Sequence, residues 1–326
     1  MKKVFLAVVA MVGMLTSCGT QTDAVQSEVH GDYTQYVNPL MGTQSSFELS
    51  TGNTYPAIAM PWGMNFWTPR TNKIGDGWQY TYTANKIYGF EQTHQPSPWI
   101  NDYGQFSLMP VTGEVEMDEK KRASWFSHKG EVALPHYYKV YLAEYDVVTE
   151  MAPTERASMF RFTFPDADSY VVVDAYDRGS SIKVIPKENK IIGYTTRNSG
   201  GVPENFKNYF VVVFDKPFTY KATFSNDVKP AKPDATVPVT LKEGQLEQTN
   251  FHTGAVIGFK TQKGEKVHAR VASSFISPEQ AELNLKELGN DTFDTVVEKG
   301  KAKWNEVLGK ADVQGGTLDQ YRMFYS

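Results

Sequence analysis

From residue 33 to residue 276 apolar residues recur at every second position or in short unbroken runs, and this rhythm commits most of the chain to strands. Met159-Phe160-Arg161-Phe162-Thr163-Phe164 alternates with period two, as does Lys266-Val267-His268-Ala269-Arg270-Val271. A strand covered on one face reads this way, because successive side chains point to opposite faces. Residues 170–173 and 209–214 are continuous apolar runs, expected of strands covered on both faces. Turn signals separate the segments: Phe164-Pro165-Asp166, Ser199-Gly200-Gly201, Lys216-Pro217 and Lys263-Gly264. Many short strands with regular breaks point to a large antiparallel β-sandwich, and Trp62 and Trp67 read as part of its core.

The pattern changes after Phe275. Ser277-Pro278-Glu279-Gln280 carries a capping Ser, Pro at the first helical position and Gln three residues after the cap. Ala281, Leu285 and Leu288 follow at helical spacing, and Gly289 closes the turn. A second helix begins near Asp291, with Phe293, Val296, Val297, Gly300, Trp304, Val307 and Leu308 on one face. Gly315-Gly316 breaks it. Tyr321, Phe324 and Tyr325 then open a third apolar face with nothing evident to pack upon, so the chain reads as stopping within a further domain.

Composition removes some classes of function. Hydrophobic residues make up 40% of the chain, enough for a substantial core, and the dispersed Lys and Arg with a net charge of −4 exclude a nucleic-acid partner. Cys18 is the only cysteine, so neither an internal disulfide nor a thiolate metal site can form. Lys2 and Lys3, then the apolar residues 4–15, then Leu15-Thr16-Ser17-Cys18 resemble a bacterial lipoprotein signal with its lipobox. The alternative is an ordinary signal peptide with an incidental cysteine. Lipidation at Cys18 would tether the protein to a membrane, in the periplasm or on the outer-membrane surface of a Gram-negative bacterium. The expected layout is a signal peptide over residues 1–18, a polar tether over 19–32, the sandwich over 33–276, linker helices over 277–315 and the start of another domain over 316–326.

The densest motifs lie between residues 36 and 110. They run Tyr36-Val37-Asn38-Pro39-Leu40-Met41-Gly42-Thr43, Gly52-Asn53-Thr54-Tyr55-Pro56-Ala57, Met60-Pro61-Trp62-Gly63-Met64 and Trp67-Thr68-Pro69. Then come Ile87-Tyr88-Gly89-Phe90 and Thr93-His94-Gln95-Pro96-Ser97-Pro98-Trp99-Ile100-Asn101-Asp102-Tyr103-Gly104. In this order they resemble the N-terminal domain of glycoside hydrolase family 92. Later segments agree, including Pro135-His136-Tyr137-Tyr138-Lys139-Val140 and the closing Phe324-Tyr325-Ser326. The resemblance implies a calcium-dependent, inverting exo-α-mannosidase, with α-1,2 the expected linkage. It also implies that the sandwich is joined by helices to an (α/α)6 barrel carrying the catalytic carboxylates and most of the calcium ligands. Inversion needs an acid and a base roughly 6.5–9.5 Å apart, and calcium takes about six to eight oxygen ligands. No sequence pattern marks either set in this chain. The chain is therefore expected to be inactive alone, with no catalytic or metal-ligating residues of its own, its partners being mannose-containing glycans and the rest of the catalytic domain.

The expected contribution of this chain is a wall of the sugar pocket. Sugars present apolar C–H faces and polar rims, so they want an aromatic plate beside fixed donors and acceptors. Trp99, stiffened by Pro96 and Pro98, is the foremost plate, and Trp78 is a second. His94, Gln95, Asn101 and Asp102 would bind hydroxyls, while Gly52 and Asn53 bring backbone close to the ligand. His94 and Asp102 have a second reading, as a pair that orients the loop. Asp177 and Arg178 read as a surface ion pair, and Arg197 and Asn198 as weaker loop candidates. The bulky Gln95-Pro96-Ser97-Pro98-Trp99 stretch, where relatives carry small residues, would reshape the subsite beyond the terminal mannose. The alternative function is a stand-alone carbohydrate-binding lipoprotein that captures glycans without cleaving them.

Overall fold

The computed structural model describes residues 31–44, 54–72, 79–95, 102–229 and 237–326. Among these residues the strands are β1 (Phe66–Arg70), β2 (Lys86–Ile87), β3 (Gly89–Thr93), β4 (Ser107–Thr112), β5 (Ser124–Trp125) and β6 (Val132–Leu134). They continue with β7 (Tyr137–Leu142), β8 (Val147–Pro153), β9 (Ala157–Phe164), β10 (Ala167–Asp174), β11 (Ser180–Ile185) and β12 (Lys190–Thr195). The last six are β13 (Asn208–Phe214), β14 (Tyr220–Asn226), β15 (Thr240–Glu243), β16 (Glu247–Asn250), β17 (His252–Thr261) and β18 (Glu265–Ser274). The helices are α1 (Glu119–Arg122), α2 (Pro278–Leu285), α3 (Phe293–Leu308) and α4 (Leu318–Tyr325).

Two antiparallel sheets form the expected sandwich. One runs β1-β3-β4-β10-β17-β14-β15 and the other β16-β11-β12-β13-β18-β9-β8-β7-β6. The alternating strand β9 turns Phe160, Phe162 and Phe164 into the layer between the sheets, where Phe210 and Phe106 stack at 4.5 Å. Trp67 lies in that layer with no exposed surface, its ring edge-on to Phe106 and Phe160. The unbroken apolar run in β13 has its predicted cause. Phe210 and Val212 face the sandwich interior, while Val211 faces outward against Ala281 of α2 and Leu288.

Trp62 departs from expectation. It is 89% exposed, on a turn outside both sheets, with a φ of 64°. Alternation could not place it, because the turn signal of Pro61 and Gly63 interrupts the periodic pattern there.

The helices that follow the sandwich obey their sequence signals. Ser277 Oγ accepts the Gln280 N–H at 3.1 Å with Pro278 opening α2, and Thr292 caps α3 through the Thr295 N–H. Phe293 and Val296 pack on the outer face of the nine-stranded sheet. Gly300 lets α3 approach closely, since a Cβ there would lie 3.0 Å from that of His136. The face of α4 is not without a partner. Tyr321 and Tyr325 stack on Tyr36 at 5.1 and 5.7 Å, whereas Phe324 points elsewhere and is exposed. Asp32, at the end of the polar segment, already belongs to this unit through Lys301 at 2.7 Å. No helix among the described residues is long and apolar enough to cross a membrane.

Candidate functional site

Strand β3 ends at Thr93, and the chain returns to the described structure at Asp102, just before β4. Asp102 Oδ2 accepts the backbone N–H of His94 at 2.7 Å, and Oδ1 accepts that of Tyr103, also at 2.7 Å. Each is a charge-assisted bond, and the carboxylate is only 2% exposed. The loop-orienting reading of Asp102 matches this bonding, in which each carboxylate oxygen accepts one backbone N–H of the loop. Gly104 follows with a φ of 68°, its N–H bonded to the Arg197 carbonyl and its own carbonyl accepting from Asn208 Nδ2 at 2.6 Å. A Cβ there would come within 2.7 Å of the Asn208 Cβ, so both the space and the left-handed backbone require glycine.

The His94 ring lies between Tyr103, stacked at 5.3 Å, and Phe275, edge-on at 4.8 Å. Its Nδ1 is 2.8 Å from the Tyr103 carbonyl, which can only accept. The ring therefore carries a proton at Nδ1, and its neutral form leaves a lone pair at Nε2. That Nε2 is buried and has no hydrogen-bond partner among the described residues. Gln95 is tied through its backbone carbonyl, which accepts from the Tyr55 hydroxyl. Phe275 is the residue at which β18 gives way to the linker helices, so this loop sits beside the passage from the sandwich to α2. Trp99, Asn101, Trp78, Gly52, Asn53 and Cys18 lie outside the described residues.

Next to the loop is a buried polar cluster that the sequence reading passed over. Glu91, in the middle of β3, has no exposed surface, and Arg70 Nε lies 3.3 Å from its carboxylate. Arg70 also bonds Glu119 and the Asn72 carbonyl, with its guanidinium 5.2 Å from the Tyr176 ring. Among the described residues neither Glu91 oxygen has a hydrogen-bond partner, and burial pushes this carboxyl up to about 8 against the pull of Arg70. A glutamate between Phe90 and Gln92 in an otherwise covered strand was the available signal. Asp177 pairs with Arg197 rather than with Arg178, which bonds the Asn198 carbonyl instead. The expected Asp177–Arg178 pair is thus corrected, since Arg197, at 6% exposure, needs a charged partner more than the exposed Arg178 does.

Among the described residues no three His, Cys, Asp or Glu side chains are grouped to hold a metal.

The profile of the glycosyl hydrolase family 92 N-terminal domain matches residues 36–274, and that of the family's catalytic domain matches residues 280–326. A family 92 inverting mannosidase from Bacteroides thetaiotaomicron VPI-5482 is 45% identical, superposing with a TM-score of 0.84 over 92% of this chain and 39% of its own. A family 92 α-mannosidase from Bacteroides thetaiotaomicron is 31% identical, with a TM-score of 0.78 over 90% of this chain and 40% of its own. An uncharacterized secreted glycosidase from Arthroderma benhamiae is 24% identical over 96% of this chain and 43% of its own. The chain thus spans less than half the length of each of these relatives. Matched across its sandwich and on into its helices, the chain belongs to glycosyl hydrolase family 92.

Proposed function

We propose that this chain is the sandwich, linker and opening of the catalytic domain of an inverting exo-α-mannosidase, and that its His94 loop forms one wall of the mannose pocket. The observation that carries the reading is His94 itself. Its imidazole is clamped between Tyr103 and Phe275, with an Nε2 that is buried and unpartnered among the described residues, at the junction with the catalytic-domain segment. An acceptor without a partner in a buried position is costly unless a ligand donor completes it. A sugar hydroxyl is such a donor.

The roles then divide by chemistry. His94 Nε2 accepts from a hydroxyl, and Asp102 holds the backbone on either side of residues 96–101 in place. Trp99 and Trp78 stack on sugar faces, Gln95 and Asn101 bind hydroxyls, and Gly52 and Asn53 admit the ligand close to backbone. The acid, the base and the calcium ligands belong to the remainder of the catalytic domain. Calcium, when bound there, would orient and polarise groups of the sugar. Residues 1–326 alone leave α-mannosides intact on this reading. The α-1,2 linkage and a lipid anchor at Cys18 complete it.

Proton NMR of mannobiose turnover by the protein with its complete catalytic domain tests the reading. The expected first product is β-mannose, before mutarotation, from the α-1,2-linked disaccharide. An α-mannose first product, or no turnover of any α-mannobiose, would overturn it. Mass spectrometry of the mature N-terminus, seeking a diacylglyceryl group on Cys18, tests the anchor separately.

A further inference from the structure

Trp62 combines two properties that stability does not explain. Its backbone is left-handed, with φ 64°, a region that bulky residues adopt at a cost, and its side chain is 89% exposed, so no packing offsets that cost. The turn that presents it is firmly held. Gly63 N–H bonds the Met60 carbonyl at 3.0 Å, Met64 N–H the Glu155 carbonyl at 2.7 Å, and Asn65 Nδ2 the Arg156 carbonyl at 3.0 Å.

The same turn belongs to the seam between the two matched regions of the family. The Ala59 carbonyl accepts Trp304 Nε1–H of α3 at 2.8 Å, and a Cβ on Gly300 would lie 3.5 Å from the Met60 sulfur. Glu287, between α2 and α3, accepts from Thr154 Oγ1 at 2.8 Å and from the Arg156 N–H at 2.9 Å. The seam thus joins residues of the sandwich match, 36–274, to residues of the catalytic-domain match, 280–326. Trp62 sits on the turn that carries this seam, with its side chain turned out to solvent.

The polar groups beside the turn favour a protein over a sugar as the occupant. A glycan platform needs free donors and acceptors at the rim of the aromatic plate. Here the Arg156 guanidinium is paired with Glu287 and Glu155, and Asn65 Nδ2 is spent on backbone. A rigid, exposed indole whose neighbouring guanidinium and amide N–H are already bonded suits an apolar socket, in which tryptophan is a preferred anchor. We propose that Trp62 is an anchor by which the sandwich holds the remainder of its own catalytic domain. This rests on the reading that such a remainder follows in the intact protein.

Hydroxyl-radical footprinting read by mass spectrometry tests the proposal on the protein with its complete catalytic domain, with Trp67 as the buried internal standard. Trp62 should be oxidised almost as slowly as Trp67, and about tenfold slower than in the 326-residue chain, as expected of an indole packed in an interface. Oxidation of Trp62 at equal rates in the two proteins would overturn it. Protection that appears only on adding mannobiose would overturn it as well, in favour of a glycan platform. The readout requires no hydrolysis, so a protein inactive on mannosides leaves this test standing.

Discussion

Asp102 and His94 are fixed to one another: a buried carboxylate oxygen of the first accepts the backbone N–H of the second at 2.7 Å, while its other oxygen takes the N–H of Tyr103. One side chain therefore fixes the backbone at both described ends of the segment that was read as the sugar-binding loop.

Asp102→Ala leaves two backbone donors without their charged acceptor. The expected loss is roughly 2–4 kcal/mol of stability, the range for stranding buried groups bonded to a charge. Urea unfolding midpoints and amide exchange at His94 and Tyr103 measure it. An unchanged midpoint would mean that the carboxylate does not brace the loop.

Gly193 tests the sheet packing. A Cβ there would lie 2.4 Å from the Ser181 carbonyl oxygen and 2.6 Å from Phe210 Cζ. Because the nearest atom is backbone, Gly193→Ala should destabilise by about 1–3 kcal/mol or more. Gly130→Ala, with open space around it, should stay within about 0.5 kcal/mol of the parent. Thermal unfolding of the two variants side by side makes the comparison.

The sandwich and its helices were legible because their signals are periodic and local. Period two places Phe160 and Phe162 inward, and Ser277 with Pro278 announces α2 within four residues. The site was legible only in part. The motif around His94 and Asp102 singles out the loop, but sequence does not show that each oxygen of the Asp102 carboxylate accepts a backbone N–H of that loop. Glu91 and Arg70 escaped notice because they are far apart in sequence and meet only when β1 pairs with β3. Tyr321 and Tyr325 were read as unpartnered for the same reason, since Tyr36 lies nearly the whole chain away. Trp62 was misread because hydrophobicity alone cannot tell a core indole from one presented to a partner.

His136 should make the seam with α3 acid-sensitive. Burial, aided by the charge of Lys301, pushes this imidazole down to about 4. Its unfolded value is about 6.5, so below that pH the unfolded chain takes up a proton that the native state refuses. Stability from this residue is thus present above about pH 6.5 and lost as pH falls toward 4. Between pH 7 and pH 5 the loss is at most about 2 kcal/mol, reduced by the residue's remaining solvent contact. Urea midpoints for the parent and His136→Gln at the two pH values isolate it. The difference between the proteins should shrink at pH 5, and a difference independent of pH would contradict the buried neutral imidazole.

The most direct test of the central claim, that the His94 end of the sandwich faces the sugar, is kcat/KM on α-mannobiose for His94→Phe in the protein with its complete catalytic domain. This substitution keeps a ring between Tyr103 and Phe275 while removing both nitrogens. A fall of about 100-fold in kcat/KM, in a variant whose unfolding temperature stays close to the parent's, is the predicted result. Full activity in a folded His94→Phe protein would contradict the claim.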